Sequence, residues 1–236
     1  MTALPLASLG WDAAFQASFT ALTDRYPGDT HAGRVSRVNR GGADILAASG
    51  PLRTTFGGDV LAAMAADRAD TAVVGDWVLA RTWPDERVTL DAVLPRRTAV
   101  RRLSANATSQ EQPLAANVDV VVVVEPLHPE PELGRIERLL VLAWSSGAVP
   151  LVVLTKADLV RDAAHWAADV AVGAPGVDVL TVSSLTGGGV EPLRAHLGVG
   201  RTLALLGPSG AGKSTLTNTL AGESVMVTRE LRADGK

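Results

Sequence analysis

The 236-residue sequence contains no cysteine. That excludes a disulfide scaffold, a thiolate nucleophile and any cysteine-ligated zinc site within these residues. Aromatic residues amount to only 4%, which disfavours binding by successive base stacking. No apolar run approaches the roughly 20 residues of a membrane-spanning helix. The N-terminus, MTALPLASLGWDAAF, lacks the basic start and continuous apolar stretch of a secretion signal. A cytoplasmic protein without membrane contact is therefore expected. A large charge of one sign is also missing, since 22 basic residues meet 25 acidic ones for a net charge of −3. With 47% hydrophobic and 20% charged residues, the chain reads as an ordinary globular one. At about 100–200 residues per domain it has room for one or two.

The mild net charge conceals an uneven distribution. His31 to Gln110 carries 11 basic against 8 acidic residues, and the rest of the chain 11 against 17. Pro95 to Leu103, PRRTAVRRL, holds four arginines and no acid. A basic module joined to an acidic one is the pattern to explain.

Local patterns divide the chain accordingly. Residues 1–30 predict a helical segment, with Asp12 at its N-cap and Trp11, Phe15, Phe19 and Leu22 at helical spacing. Residues 31–103 break into short β-like runs between turn signals: GRVSRVNR, ADILAAS, LRTTF, TAVVGDWVLARTW and RVTLDAVL. Five short strands in such a span predict a small antiparallel barrel of the OB type, which binds oligonucleotides on one face. The candidate RNA-binding residues are Arg34, Arg37, Arg40, Arg96, Arg97, Arg101 and Arg102; the alternative is a merely solvated basic face. Residues 104–113, SANATSQEQP, read as a linker.

From 114 to 236 strands alternate with helices. VDVVVVV reads as a buried parallel strand. The helix PELGRIERLLVLAWSS follows, with Leu133, Ile136, Leu140 and Trp144 on one face. Then come VPLVVL, DAAHWAADVA, VDVLTVS, VEPLRAHL, TLALLG and KSTLTNTLA. This alternation predicts βαβ units and a doubly wound parallel sheet. The expected fold class is thus α/β plus all-β.

The sharpest motif is Gly207-Pro208-Ser209-Gly210-Ala211-Gly212-Lys213-Ser214, a full match to G-x-x-x-x-G-K-[ST] between a strand and a helix. Its glycines let backbone N–H groups turn toward phosphate oxygens, and the helix adds its positive N-terminal end. Lys213 brings a mobile charge to the β and γ phosphates, Ser214 a hydroxyl ligand for Mg²⁺, and Thr215 a donor for the α phosphate. Lys213 and Ser214 are accordingly the candidate catalytic residues. Thr155-Lys156-Ala157-Asp158 ends the strand VPLVVL and resembles the [N/T]KxD motif of GTPases, in which the aspartate accepts from guanine N1 and N2. Ser183-Ser184-Leu185 ends the next strand and resembles the S-A-x loop. There the Ser184 amide would face guanine O6 and the Ser183 hydroxyl would orient Asp158. Thr155, where asparagine is commoner, implies weaker contact with guanine N7 and the phosphate loop. GTP and GDP are the expected ligands.

The motif order is unusual, because the base motifs at 155 and 183 precede the phosphate loop at 207. A circularly permuted GTPase domain explains it. Together with GRVSRV, VGDWV, LPRRTAVRR, QPLAANVD, LTKADL and SSLTGGGV, this makes the chain similar, over nearly its whole length, to the RsgA (YjeQ) family of small-ribosomal-subunit-dependent GTPases. The resemblance implies an OB domain contacting 16S rRNA near the decoding region, ribosome-stimulated GTP hydrolysis and late maturation of the 30S subunit. It also implies an apolar residue in place of the usual water-positioning glutamine. A monomer is expected. A switch-I threonine segment, a D-T-P-G motif and a Cys/His domain holding Zn²⁺ would follow Lys236; no D-x-x-G occurs within these residues. The domain therefore reads as C-terminally incomplete, with weak or no hydrolysis expected of these residues alone.

Two other readings stay open. An ATP-specific P-loop ATPase would share GPSGAGKST, although no LSGGQ-like signature accompanies it. A non-hydrolysing RNA-binding module would use the nucleotide only as a switch. His31, His128, His165 and His196 lack metal-ligand spacing, and Glu125, Glu130 and Glu132 read as a solvated acidic loop.

Overall fold

A computed structural model describes residues 4–103 and 111–226. It separates into two compact units, residues 1–119 with 199–202, and residues 120–198 with 203–236.

The first unit is built on five strands: β1 (Asp29–Asn39), β2 (Gly42–Ala47), β3 (Gly50–Phe56), β4 (Trp77–Thr82) and β5 (Val88–Val93). They close into a barrel in the order β1-β2-β3-β5-β4. Alternation along β4 shows why these residues form strands. Val78 and Ala80 enter the core with Val35, Ile45 and Leu90, while Trp77 and Leu79 face the opposite side. That second face is covered by α1 (Ala13–Thr23), whose N-terminus Asp12 caps by accepting from the Ala14 and Phe15 amides. Trp11, Phe15 and Trp77 pack there as an aromatic cluster.

Helix α2 (Gly58–Ala66) lies between β3 and β4 and buries Val60. Its small-residue sequence, GDVLAAMAA, carries too weak an apolar stripe to announce a helix. The run TAVVGDWVLARTW yields a strand only from Trp77, because Val73 to Asp76 turns at Gly75 (φ +90°). A Cβ at Gly75 would lie 2.1 Å from the Ala116 carbonyl oxygen, so only glycine fits. β6 (Ala99–Leu103) and β7 (Glu111–Ala116) form an antiparallel pair. Residues 104–110 of the expected linker lie outside the described residues, and Glu111 to Pro113 belong to β7.

The second unit is a parallel sheet of β8 (Val120–Pro126), β9 (Val149–Thr155), β10 (Asp178–Val182) and β11 (Leu203–Leu206), in the order β10-β9-β8-β11. Helices α3 (Leu133–Ser145) and α4 (Ala163–Gly173) cover one face. Helices α5 (Val190–Arg194) and α6 (Lys213–Ala221) cover the other. Residues of β8 and β9 enter both cores in alternation, Val122 and Val153 on one side, Val123 and Val152 on the other. Two buried faces explain the unbroken valine run, each fully buried valine contributing about 1.5–3 kcal/mol. The chain steps from β8 outward to β10 and then returns to the far side of β8 as β11. This reversal is the switch point at which such sheets place ligands.

Two expectations about this unit are corrected. On α3 the buried residues are Ile136, Leu140 and Ala143, while Leu133 and Trp144 stay about half exposed; the helix is rotated from the face the spacing suggested. Glu125 is no solvated loop residue. It sits in β8 with no exposure and is bonded to Arg135 and to the Glu132 amide.

Candidate nucleotide site and arginine surface

The phosphate-loop sequence begins where β11 ends. Gly207 (φ +157°) passes so close to β8 that a Cβ would stand 2.1 Å from the Val124 carbonyl oxygen. The loop then turns into α6, whose first amides have no carbonyl partner within the helix and face outward as donors. Lys213, the first residue of α6, folds back so that Nζ donates to the carbonyls of Gly207 at 2.8 Å and Pro208 at 2.6 Å. Burial lowers its pKa from the ordinary lysine value. The ammonium thus hangs over the loop on two weak acceptors, which phosphate oxygens would outcompete. Ser209 and Thr215 are exposed, and Gly210, Gly212 and Ser214 are half-buried around the fully buried Ala211.

The two base motifs meet this loop and each other through hydrogen bonds. The buried Thr155 hydroxyl donates to the Ala211 carbonyl at 2.6 Å. Contact with the phosphate loop, expected to weaken with threonine in place of asparagine, is therefore made by a shorter side chain. Lys156 adopts a left-handed conformation (φ +60°), which turns its side chain out of the strand, and Nζ donates to the His128 carbonyl at 3.1 Å. Ala157 and Asp158 occupy a single 3₁₀ turn. The Ser183 hydroxyl donates to Asp158 Oδ1 at 2.6 Å and accepts from the Thr186 amide at 3.2 Å. Asp158 Oδ2 makes no hydrogen bond among the described residues. Ser184 is half-buried beside it and Leu185 is exposed. The carbonyls of His128 and Ala211 had no signal in the sequence, because main-chain acceptors are invisible to residue type.

The seven arginines proposed for RNA divide into different groups. Arg34 and Arg96 are corrections. Arg34 donates to the carbonyls of Gly75, Leu9 and Asn117, and burial lowers its pKa. Arg96 grips Asp76 with two bonds of 2.7 and 2.8 Å and donates to the Ala69 and Thr71 carbonyls. Asp76 is fully buried, and burial raises its carboxyl pKa against the pull of Arg96. Both guanidinium groups are fully engaged inside the fold. Arg97 is paired with Asp12 and lies 4.0 Å over the Phe15 ring, and Arg101 stands 3.7 Å from Glu111. Arg37, Arg40 and Arg102 are exposed and make no ion pair among the described residues.

Two arginines that sequence reasoning passed over join Arg40. Arg53 of β3 and Arg87 of the β4–β5 turn line, with Arg40, a groove of about 380 Å³. Arg87 and Arg81 both lie over the Trp83 ring, at 5.3 and 4.1 Å. Two turns and a strand, spread from Arg40 to Arg87, supply the groove, so no local motif could show it.

A phosphate loop at the switch point of a parallel sheet, with base-motif loops on two strands that precede it in sequence, defines a P-loop nucleotide-binding domain of circularly permuted order. Comparisons agree. A family model described as RsgA GTPase matches residues 93–236. Small ribosomal subunit biogenesis GTPase RsgA of Streptomyces avermitilis is 46% identical, over 98% of this chain and 61% of its own length. Its namesake in Streptomyces coelicolor is 45% identical, over 98% and 62%. The chain belongs to the RsgA GTPase family, and it spans about 61% of the length of those relatives. Among solved structures, YjeQ from Thermotoga maritima matches with a TM-score of 0.63 at 23% identity, over 81% of this chain and 65% of that one. YloQ, described as a circularly permuted GTPase, matches with 0.56 at 22%, over 80% and 63%. These two share the fold.

Proposed function

We propose that this chain is the guanine-nucleotide-binding and RNA-binding part of a cytoplasmic, monomeric GTPase of small-subunit biogenesis, which hydrolyses GTP to GDP in a ribosome-stimulated manner. The observation that carries the reading is the hydrogen-bonded chain from Ser183 through Asp158, with Thr155 tied to Ala211. It joins a carboxylate suited to guanine N1 and N2 to a loop suited to phosphates. Adenine offers no pair of donors on that edge, so an ATP-specific site would leave the second oxygen of Asp158 without a donor from the base.

Each residue has a task that its chemistry permits. The amides of Gly210 to Thr215 bind phosphate oxygens, Pro208 and Ser209 shape the loop, and Lys213 neutralises charge developing on the γ phosphate. Ser214 supplies a single hydroxyl in the first turn of α6. This fits Mg²⁺, which keeps most of its waters and takes few protein ligands; when bound, the ion screens the β and γ phosphate charges. No group of three or more His, Cys, Asp or Glu residues among the described residues is placed to hold a metal by itself; the Zn²⁺ that the family resemblance implies is proposed to bind outside these residues. The exposed Arg37, Arg40, Arg53, Arg87, Arg101 and Arg102 are suited to phosphates of 16S rRNA within the 30S subunit.

The test is a competition titration with a fluorescent GDP. GTP and GDP are expected to displace it at least a hundredfold better than ATP, a margin of about 2.7 kcal/mol or two charge-assisted hydrogen bonds. Asp158→Asn, which exchanges an acceptor for a donor, should weaken GTP and strengthen xanthosine triphosphate, whose 2-oxo group accepts. Equal displacement by ATP would overturn the guanine assignment. For the whole protein, phosphate release with 30S subunits that stays at the level of Lys213→Ala would leave only the switch reading.

A further inference from the structure

β8 is five valines followed by a glutamate, and that glutamate is the anomaly of the sheet. Glu125 has no solvent exposure, yet it carries a carboxylate at the carboxyl edge of an interior strand. A buried charge is tolerated only when paired and hydrogen-bonded, and an apolar residue there would often be as stable or more so. Its partners converge from one place. Arg135, in the first turn of α3, donates Nη2 to Oε1 at 2.7 Å and Nε to Oε2 at 3.0 Å, and the Glu132 amide adds 3.0 Å to Oε1. Arg135 Nη1 also holds Glu132 at 2.8 Å. The carboxylate therefore pins the start of α3 to the end of β8.

Between these two anchors runs the segment Leu127 to Pro131, and both ends of its consequence lie at the base site. The Leu127 amide donates to the Thr155 carbonyl at 2.9 Å. The His128 carbonyl receives Lys156 Nζ. In the [N/T]KxD motif that residues 155–158 resemble, the lysine stem lies over the base, and the matching Lys156 has a long side chain that is costly in entropy to fix. A carbonyl held still by a strapped loop restricts it before any ligand arrives.

We infer that Glu125, through Arg135 and the 127–131 segment, is a positioning residue for Lys156 and so for guanine-nucleotide affinity. Glu125 touches no ligand itself. The inference rests on the guanine reading above and adds to it a part of the molecule that no base motif includes.

The test is a double-mutant cycle on the 236-residue chain, titrated with fluorescent GDP. Glu125→Gln turns a charge acceptor toward the Arg135 donors into a mixed one. It is expected to weaken GDP by about tenfold, the worth of one charge-assisted contact. In a Lys156→Ala background the same change should have almost no effect, because the group it positions is gone. A merely structural role would lower the melting temperature and weaken GDP equally in both backgrounds, and that result overturns the inference. Should Glu125→Gln fail to fold, Arg135→Met breaks the same strap from its half-exposed side and must show the same coupling to Lys156. The two readings fail separately. If the unaltered chain binds no guanine nucleotide, the proposed function falls. If it binds GDP and responds to Asp158→Asn but shows no Glu125–Lys156 or Arg135–Lys156 coupling, only the positioning role falls.

Discussion

In the sheet unit, the residues suited to a nucleotide occupy three short stretches, each at the carboxyl end of a strand: 155–158, 183–185 and 207–215. In the barrel unit, arginines of near-identical sequence surroundings do opposite things. Arg96 lies within the framework and the adjacent Arg97 lies on the surface, while Arg34 is engaged and Arg37, three residues on, is exposed. The difference follows from geometry. A loop at the end of a buried strand has one direction in which to project its donors. In the barrel unit a strand alternates faces, and what an arginine meets depends on residues twenty to more than eighty positions away, Asp76 and Thr71 for Arg96 and Asn117 for Arg34. Local motifs thus report a site when the site itself is local.

The largest effect that can test this contrast concerns Arg96. Removing it leaves Asp76 buried and unpaired at the Gly75 turn. Arg96→Ala should therefore destabilise the barrel by about 3–5 kcal/mol, the range for breaking a buried pair. Urea denaturation followed by tryptophan fluorescence reads it, with Trp77 close to the affected region. Adding Asp76→Ala should recover part of the loss, since the orphaned charge goes with it. A midpoint unchanged in Arg96→Ala would return that arginine to the surface and dissolve the contrast.

Most of the sheet unit was legible in the sequence. The valine run of β8, the strands at 149–155 and 178–182, and α6 at Lys213 to Ala221 follow from period and punctuation. The Ser183–Asp158 bond was implied by the resemblance of the two base motifs to those of GTPases. What stayed hidden has two physical sources. Main-chain acceptors such as the Ala211 and His128 carbonyls belong to every residue alike. Glu125 sits among prolines and other acids, so composition suggested solvent, whereas Arg135 ten residues later decides its burial. In the barrel the five strands and the Asp12 cap were readable, but VGDWV and QPLAANVD entered only as part of the family resemblance, with no structural role assigned to them. They prove to be framework. Gly75 admits the Ala116 carbonyl, Asp76 receives Arg96, and Asn117 donates to the Gly75 carbonyl while accepting from the Arg97 amide.

A smaller effect sharpens the surface half of the comparison. Arg40→Ala, Arg53→Ala and Arg87→Ala together should leave the denaturation midpoint within about 0.5 kcal/mol, as exposed side chains do. Binding to 30S subunits should weaken instead, and the slope of log affinity against log salt should flatten by roughly 2 to 3, one phosphate per lost cation. Unchanged affinity at every salt concentration would show that the groove faces no phosphate, while a large loss of stability would place these arginines with Arg96.

The smallest effect lies at Arg97, which stands between the two classes. Its guanidinium bonds Asp12, and this contact, ahead of the Phe15 amide, holds the Asp12 carboxyl at a pKa of about 2 against an ordinary 3.8. A carboxylate with a depressed folded-state pKa stabilises fully above the unfolded value. That contribution fades as pH falls from 3.8 through about 2. The cap of α1 should accordingly persist to lower pH than an unpaired aspartate allows. An NMR titration of the Ala14 and Phe15 amides should give a midpoint near 2, moving toward 3.8 in Arg97→Ala. The shift stops short of the full difference, because two amide bonds still favour the ionised form. If the midpoint does not move, the Arg97–Asp12 pair contributes nothing in solution. Arg97 then joins Arg37 and Arg40 as a cation available to phosphate.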